Sequence, residues 1–250
     1  MARALVGRGH EVVALARSDA AARKLEASGA QPSPGNIRRP DERLPAAPPC
    51  EAVIHAACEF EGAMQVIERH LLDRLLPYLV ALARRCKFYS GGCWLFGATG
   101  DLVATEATPF AALPAFAWAP EHMQRILESS AIEPIIIHPA MVYEPDGGVF
   151  SSFFRAALGR PPIRLVGAES VRWPLVHSEN LASLYVLALE QAAPRESYIG
   201  SAIHGLSWGA LREHLPEGSA QSTRTLRSSA RTRWPSSRAT GRAATRSISS

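Results

Sequence analysis

Apolar positions along the first 215 residues fall into short unbroken runs alternating with longer stretches at helical spacing. Residues 1–6 read as the end of a helix, with Gly9 at its stop. Residues 11–16 (EVVALA) and 52–56 (AVIHA) read as buried strands, and 87–90 and 135–138 (IIIH) as two more. Between them, residues 19–28 predict a helix. Ser18 or Asp19 offers its N-cap and Gly29 its left-handed stop. A longer amphipathic helix is expected over 63–86, kinked at Pro77. Helices near 121–130 and over 180–191 (NLASLYVLALEQ) follow, while the Pro/Gly-rich stretch 32–40 predicts a strand end and a turn. Strands that are apolar throughout rather than alternating are buried on both faces, as in a parallel sheet with helices above and below. The expected fold is α/β, a Rossmann-like doubly wound sheet.

The pattern stops near residue 217. Residues 1–217 are expected to form this sheet domain, with segments of a small lobe from about 143 onward. Residues 218–250 form an Arg/Ser-rich tail. The last 32 residues hold seven arginines and nine serines and lack lysine, aspartate and glutamate. Removing those seven positive charges from the net +4 leaves residues 1–218 at −3. The body is therefore mildly acidic. The tail reads as disordered chain or as the product of a shifted frame, and nucleic-acid binding through it is a minor expectation. The four cysteines, Cys50, Cys58, Cys86 and Cys93, form no CxxC pair. A zinc site or disulfide framework is not expected; reduced thiols in a cytoplasmic protein are. No apolar run approaches the roughly 20 residues of a membrane span.

Six stretches carry a resemblance: ARALVGRGHEVVALARS at the start, GNI at 35–37, AVIHAA at 52–57, FYSGGCWLFG at 88–97, HPAMVYEPDGG at 138–148 and PLVHSENLASLYVLALE at 174–190. Together they resemble the extended or atypical short-chain dehydrogenase/reductases of the NAD-dependent epimerase/dehydratase type, over about residues 1–215. Ligands of such sheets bind beyond the carboxyl ends of the strands. The resemblance implies Arg17 and Ser18 beside the adenosine ribose, where a guanidinium suits a 2′-phosphate and favours NADP over NAD. It places Asn36 and Ile37 at the adenine, with Asn36 keeping the hydrogen-bonding shape of the family's aspartate without its charge. His55, Ala56 and Ala57 lie under the dinucleotide backbone, and Pro139, Ala140 and Val142 in a turn along the nicotinamide. Ser90 matches the serine that hydrogen-bonds the reacting substrate oxygen. His177 and Asn180 fall in a stretch that orders a loop and starts a helix.

Two departures stand against these matches. The glycine-rich fingerprint and the strand before it are absent, so the sequence resembles a member that starts one strand late, by a misplaced start or a truncated gene. The strand is central in the family, so these residues alone are expected to be unstable, or the strands beside the gap to close on each other. The Tyr-x-x-x-Lys pair is also absent: aligning MQRILES puts Phe116 at the tyrosine and Pro120 at the lysine, and neither moves a proton. His122 and Tyr143 are the candidate replacements. The implied function is NAD(P)-dependent epimerase/dehydratase-like oxidoreduction of a small sugar-like or carbonyl substrate, in a protein that is often a homodimer in this family. The alternatives are a non-catalytic dinucleotide-binding sensor or scaffold, or an inactive truncated product.

Overall fold

The computed structural model describes residues 1–59, 63–81, 86–130, 132–145, 147–151, 164–165, 170–213 and 224–225. Helix α1 (Ala2–Gly7) leads through Gly9 into β1 (Val13–Ala16). Helix α2 (Asp19–Glu26) starts at Ser18, whose hydroxyl accepts the Ala21 N–H at 3.3 Å. It is stopped by Gly29 at φ +82, where a side chain would be strained and would also meet Val6 Cγ1 at 2.9 Å. Strand β2 (Gln31–Pro34) then pairs in parallel with β1.

A second parallel sheet holds β3 (Ala52–His55), β4 (Cys86–Ser90), β5 (Glu133–Pro139) and β10 (Ser197–Gly200), in the order β10-β5-β4-β3. Its helices are α3 (Met64–Ala81), α4 (Ala119–Glu128) and α5 (Ser178–Gln191). Strand β5 shows why this is a doubly wound sheet. Its alternate side chains go to opposite layers. Ile136 packs with Leu72, Leu76 and Leu79 of α3 and Met123 and Ile126 of α4. Ile135 and Ile137 pack with Tyr185 and Ala188 of α5. Both faces are covered, so the strand has no polar side.

The helix expected to reach residue 86 is corrected: Cys86 opens β4, where it pairs with both Ala52 and Glu133. Helix α3 continues through Pro77. The expected turn at Pro139–Val142 is also corrected. Pro139 ends β5, and after Ala140 alone the chain re-enters a strand, β6 (Met141–Glu144). This opens a further sheet with β7 (Gly147–Gly148), β9 (Arg172–His177) and β11 (Ile203–Ser207), in the order β11-β9-β6-β7. Helix α6 (Trp208–Glu213) follows it. In the tail, the described residues Arg224–Thr225 form β12 and pair in parallel with β8 (Arg164–Leu165).

The strands flanking the expected gap do not close on each other. β1 pairs with β2 and β3 with β4, and among the described residues no ladder joins β1 to β3. Val13 and Leu15 of β1 remain 43% and 47% exposed.

Candidate active site

The carboxyl ends of β1, β3, β4 and β5 open into one cavity of about 1060 Å³. Leu15 lines it too, so the slot between the two parallel sheets is part of this space. One wall is Arg17, Asn36 and Ile37, from the chain leaving β1 and β2. Asn36 Oδ1 accepts the Arg38 N–H at 2.9 Å, a local turn that fixes its side chain. Arg38 in turn holds Glu59 at 3.0 Å, across from β3. This hydrogen bond, ahead of the charges of Arg38 and Arg17, keeps the Glu59 carboxyl below its usual range.

Ala56 and Ala57 form the floor, and Ser90 and Pro139 stand at the ends of the next two strands, with Val142 beyond. Phe116, the residue at the family's tyrosine position, is also on the wall, its ring stacked on Trp94 at 6.0 Å and 7°. Ser90 hydrogen-bonds the hydroxyl of Tyr185, which is buried and lines the same cavity from α5. Burial pushes the Tyr185 pKa up, and its bond to Ser90 partly offsets this.

Five residues singled out from the sequence lie elsewhere. Ser18 caps α2 and is not on the wall. His55 is turned into the protein, its Nε2 paired with Glu68 at 2.6 Å. His122 sits on the buried face of α4 against Trp118, at a ring separation of 5.0 Å, with neither nitrogen partnered. It shares that face with Met123 and Ile126, and burial lowers its pKa. Tyr143 packs its ring on Phe150 and His177, at 5.7 and 5.3 Å, while its neighbour Val142 reaches the cavity. His177 is the N-cap of α5, its Nδ1 accepting the Glu179 N–H at 3.3 Å.

Glu68 and Tyr185 line the cavity as well and were not singled out from the sequence. Glu68 stands three, four and seven residues before Leu71, Leu72 and Leu75, all buried on α3. A charge on an apolar helical stripe was the available signal. Tyr185 gave none, since its spacing in α5 is that of an ordinary core residue.

A profile of the NAD dependent epimerase/dehydratase family matches residues 1–200. The chain belongs to this family. Its fold is similar to that of the dTDP-glucose 4,6-dehydratase of Streptomyces venezuelae solved with NAD bound, at TM-score 0.78 and 16% identity, covering 90% of this chain and 79% of the dehydratase. The UDP-glucose 4-epimerase of Bifidobacterium longum in complex with NAD+ and UDP gives TM-score 0.71 at 14% identity, covering 85% and 77%. A Schizosaccharomyces pombe protein described as uncharacterized is 25% identical over 209 residues, 82% of this chain and 70% of that protein. These likenesses fix the fold and the family. Among the described residues, no helix is long and apolar enough to cross a membrane.

Proposed function

We propose that the cavity binds a nicotinamide dinucleotide and that the protein is an oxidoreductase acting on a small hydroxyl- or carbonyl-bearing substrate, of which a sugar nucleotide is the first to test. The supporting observation is that one cavity gathers Arg17, Asn36, Ala56, Ala57, Ser90 and Pro139 from the ends of five strands. The volume is at the upper end of the roughly 300–1,000 Å³ usual for ligand sites, large enough for a dinucleotide with a substrate beside it. The donors suit such a guest. Arg17 offers a fork for a phosphate, Asn36 a polar edge for adenine, and the alanines room for a backbone to pass. These 250 residues contain no glycine-rich phosphate-binding turn, so the fit rests on the walls and floor. Bound there, the cofactor would supply hydride chemistry, while Ser90 and Tyr185 hold the reacting oxygen between two hydroxyls.

The finer choice of NADP over NAD rests on Arg17, which lines the cavity. Fluorescence titrations with NADPH and NADH test both parts. Binding of either supports the reading, and a tighter NADPH isotherm supports the choice. Binding of neither removes the proposal. Turnover with sugar nucleotides and simple carbonyls then tests the chemistry. A non-catalytic dinucleotide sensor is the second reading, favoured by Phe116 on the wall and Pro120 in the first turn of α4. Binding without any turnover would support it.

A further inference from the structure

The cavity wall carries a buried carboxylate that the reading above does not use. Glu68 is 4% exposed, and its Oε1 is paired with His55 Nε2 at 2.6 Å. The Tyr89 ring lies 5.4 Å from that of His55, and the charge of Glu68 acts on its hydroxyl. All three are buried, yet Glu68 and Tyr89 line the cavity. Taking an ion pair out of water has a desolvation cost that a well-packed apolar pair avoids, so stability alone does not account for it.

The chemistry of the triad narrows what it can receive. An ionised carboxylate only accepts hydrogen bonds and has about four lone-pair sites, of which His55 occupies one. Burial and the charge of Glu68 keep Tyr89 protonated. Burial likewise keeps the nearby Cys58 thiol protonated. A phosphate against Glu68 would be repelled. A metal finds no cluster of three or more His, Cys, Asp or Glu side chains among the described residues. A vicinal diol presents two O–H donors to one carboxylate, as ribose does to the acidic residue of dinucleotide folds.

We propose that Glu68, positioned by His55, is a diol-binding carboxylate that takes the hydroxyl pair of a ribose or sugar inside the cavity. The inference rests on the nucleotide reading above, and its test separates the two. Calorimetric titrations of the 250-residue chain and of its Glu68→Gln variant use ADP-ribose against ADP, and UDP-glucose against UDP. A hydrogen bond to a charged group sets the expected loss at roughly tenfold or more. A loss confined to ADP-ribose assigns the diol to the cofactor, and one confined to UDP-glucose assigns it to the substrate. Unchanged affinities in a wild type that binds these ligands overturn the diol site and leave the nucleotide reading standing. A wild type that binds none of the four overturns both. If Glu68→Gln unfolds before titration, Glu68→Asp carries the same comparison, because it keeps the charge but withdraws the oxygens by one methylene. Unchanged affinity there overturns the site equally.

Discussion

Replacing His138 by phenylalanine should flatten the pH dependence of stability, and the structure sets the size of the effect. His138 is 1% exposed on β5, with the rings of Phe96 and Phe110 at 5.4 and 5.6 Å, and its Nδ1 has no hydrogen-bond partner. Burial lowers its pKa from 6.5 to about 4, against a weaker upward pull from Glu106. The folded protein therefore binds this proton less readily than the unfolded chain. The stability contribution is complete above pH 6.5, declines on acidification, and is fully lost below pH 4. At 1.36 kcal/mol per pK unit, the loss is about 2 kcal/mol between pH 7 and pH 5 and about 3 kcal/mol below pH 4. Phenylalanine has nearly the same shape and nothing to protonate. Urea unfolding of both proteins at pH 7 and pH 5 measures the difference. The wild type should lose about 2 kcal/mol more than His138→Phe over that interval. His122, lowered in the same direction, is present in both and cancels. Equal losses in the two proteins would refute the neutral buried imidazole.

Gly91→Ala should lower stability, because its Cβ would stand 2.4 Å from His138 Nδ1 and 2.8 Å from Met123 Cε, both in the core. Overpacking of roughly 1–3 kcal/mol predicts a melting temperature roughly 2–12 °C lower in a chain this long, whereas Gly7→Ala, with nothing within 4 Å, should cause no loss. Ser90→Ala and Tyr185→Phe should couple by about 1 kcal/mol in a double-mutant cycle of unfolding, and strict additivity would mean that their hydroxyls do not meet. Saturating dinucleotide should slow amide exchange in β1 and β2 more than in β5, read by mass spectrometry, and a uniform change would disprove a coupling between ligand binding and the docking of the β1–β2 pair.

What could be read from the sequence follows what each segment packs against. Strand β5 was visible because IIIH is buried on both sides, and α5 because its apolar positions recur at helical spacing. The sheet of β6, β7, β9 and β11 was not foreseen as strands. β11 (IHGLS) is mostly exposed and contains Gly205, and β9 contains Pro174, so neither shows clean alternation. The strand ends facing the cavity were legible as motifs, which is why Arg17, Asn36, Ala56 and Ser90 were chosen together. The acid/base partners were not. His122 looked like a titrating surface group because sequence shows that α4 is amphipathic without showing that position 122 lies on its inner face. Glu68 shows in sequence only as a charge on an apolar helical stripe, because its partner, His55, comes from another element.

The split between the parallel sheets bears directly on how this site can work. Arg17 and Asn36 ride on the β1–β2 pair, whereas Ala56, Ser90 and Glu68 belong to the larger sheet and its helix. Among the described residues, no backbone ladder joins the two groups. They are tied by the Arg8–Glu190 pair at 2.6 Å, the Arg38–Glu59 pair at 3.0 Å and the Asp41–Arg74 pair at 2.9 Å. Arg8, Arg38, Asp41 and Arg74 are each 46% exposed or more, and ion pairs of that kind contribute about 0–1 kcal/mol each. A central strand would add a continuous ladder and bury Val13 and Leu15. A ligand spanning the cavity would touch both groups at once, and its binding energy would then be shared between affinity and holding the walls together. It would stabilise the assembled state by about 2.7 kcal/mol at a hundred times its Kd, which three exposed pairs match together only near the top of their range. In this fold the occupant of the cavity and the integrity of the cavity are therefore one thermodynamic question.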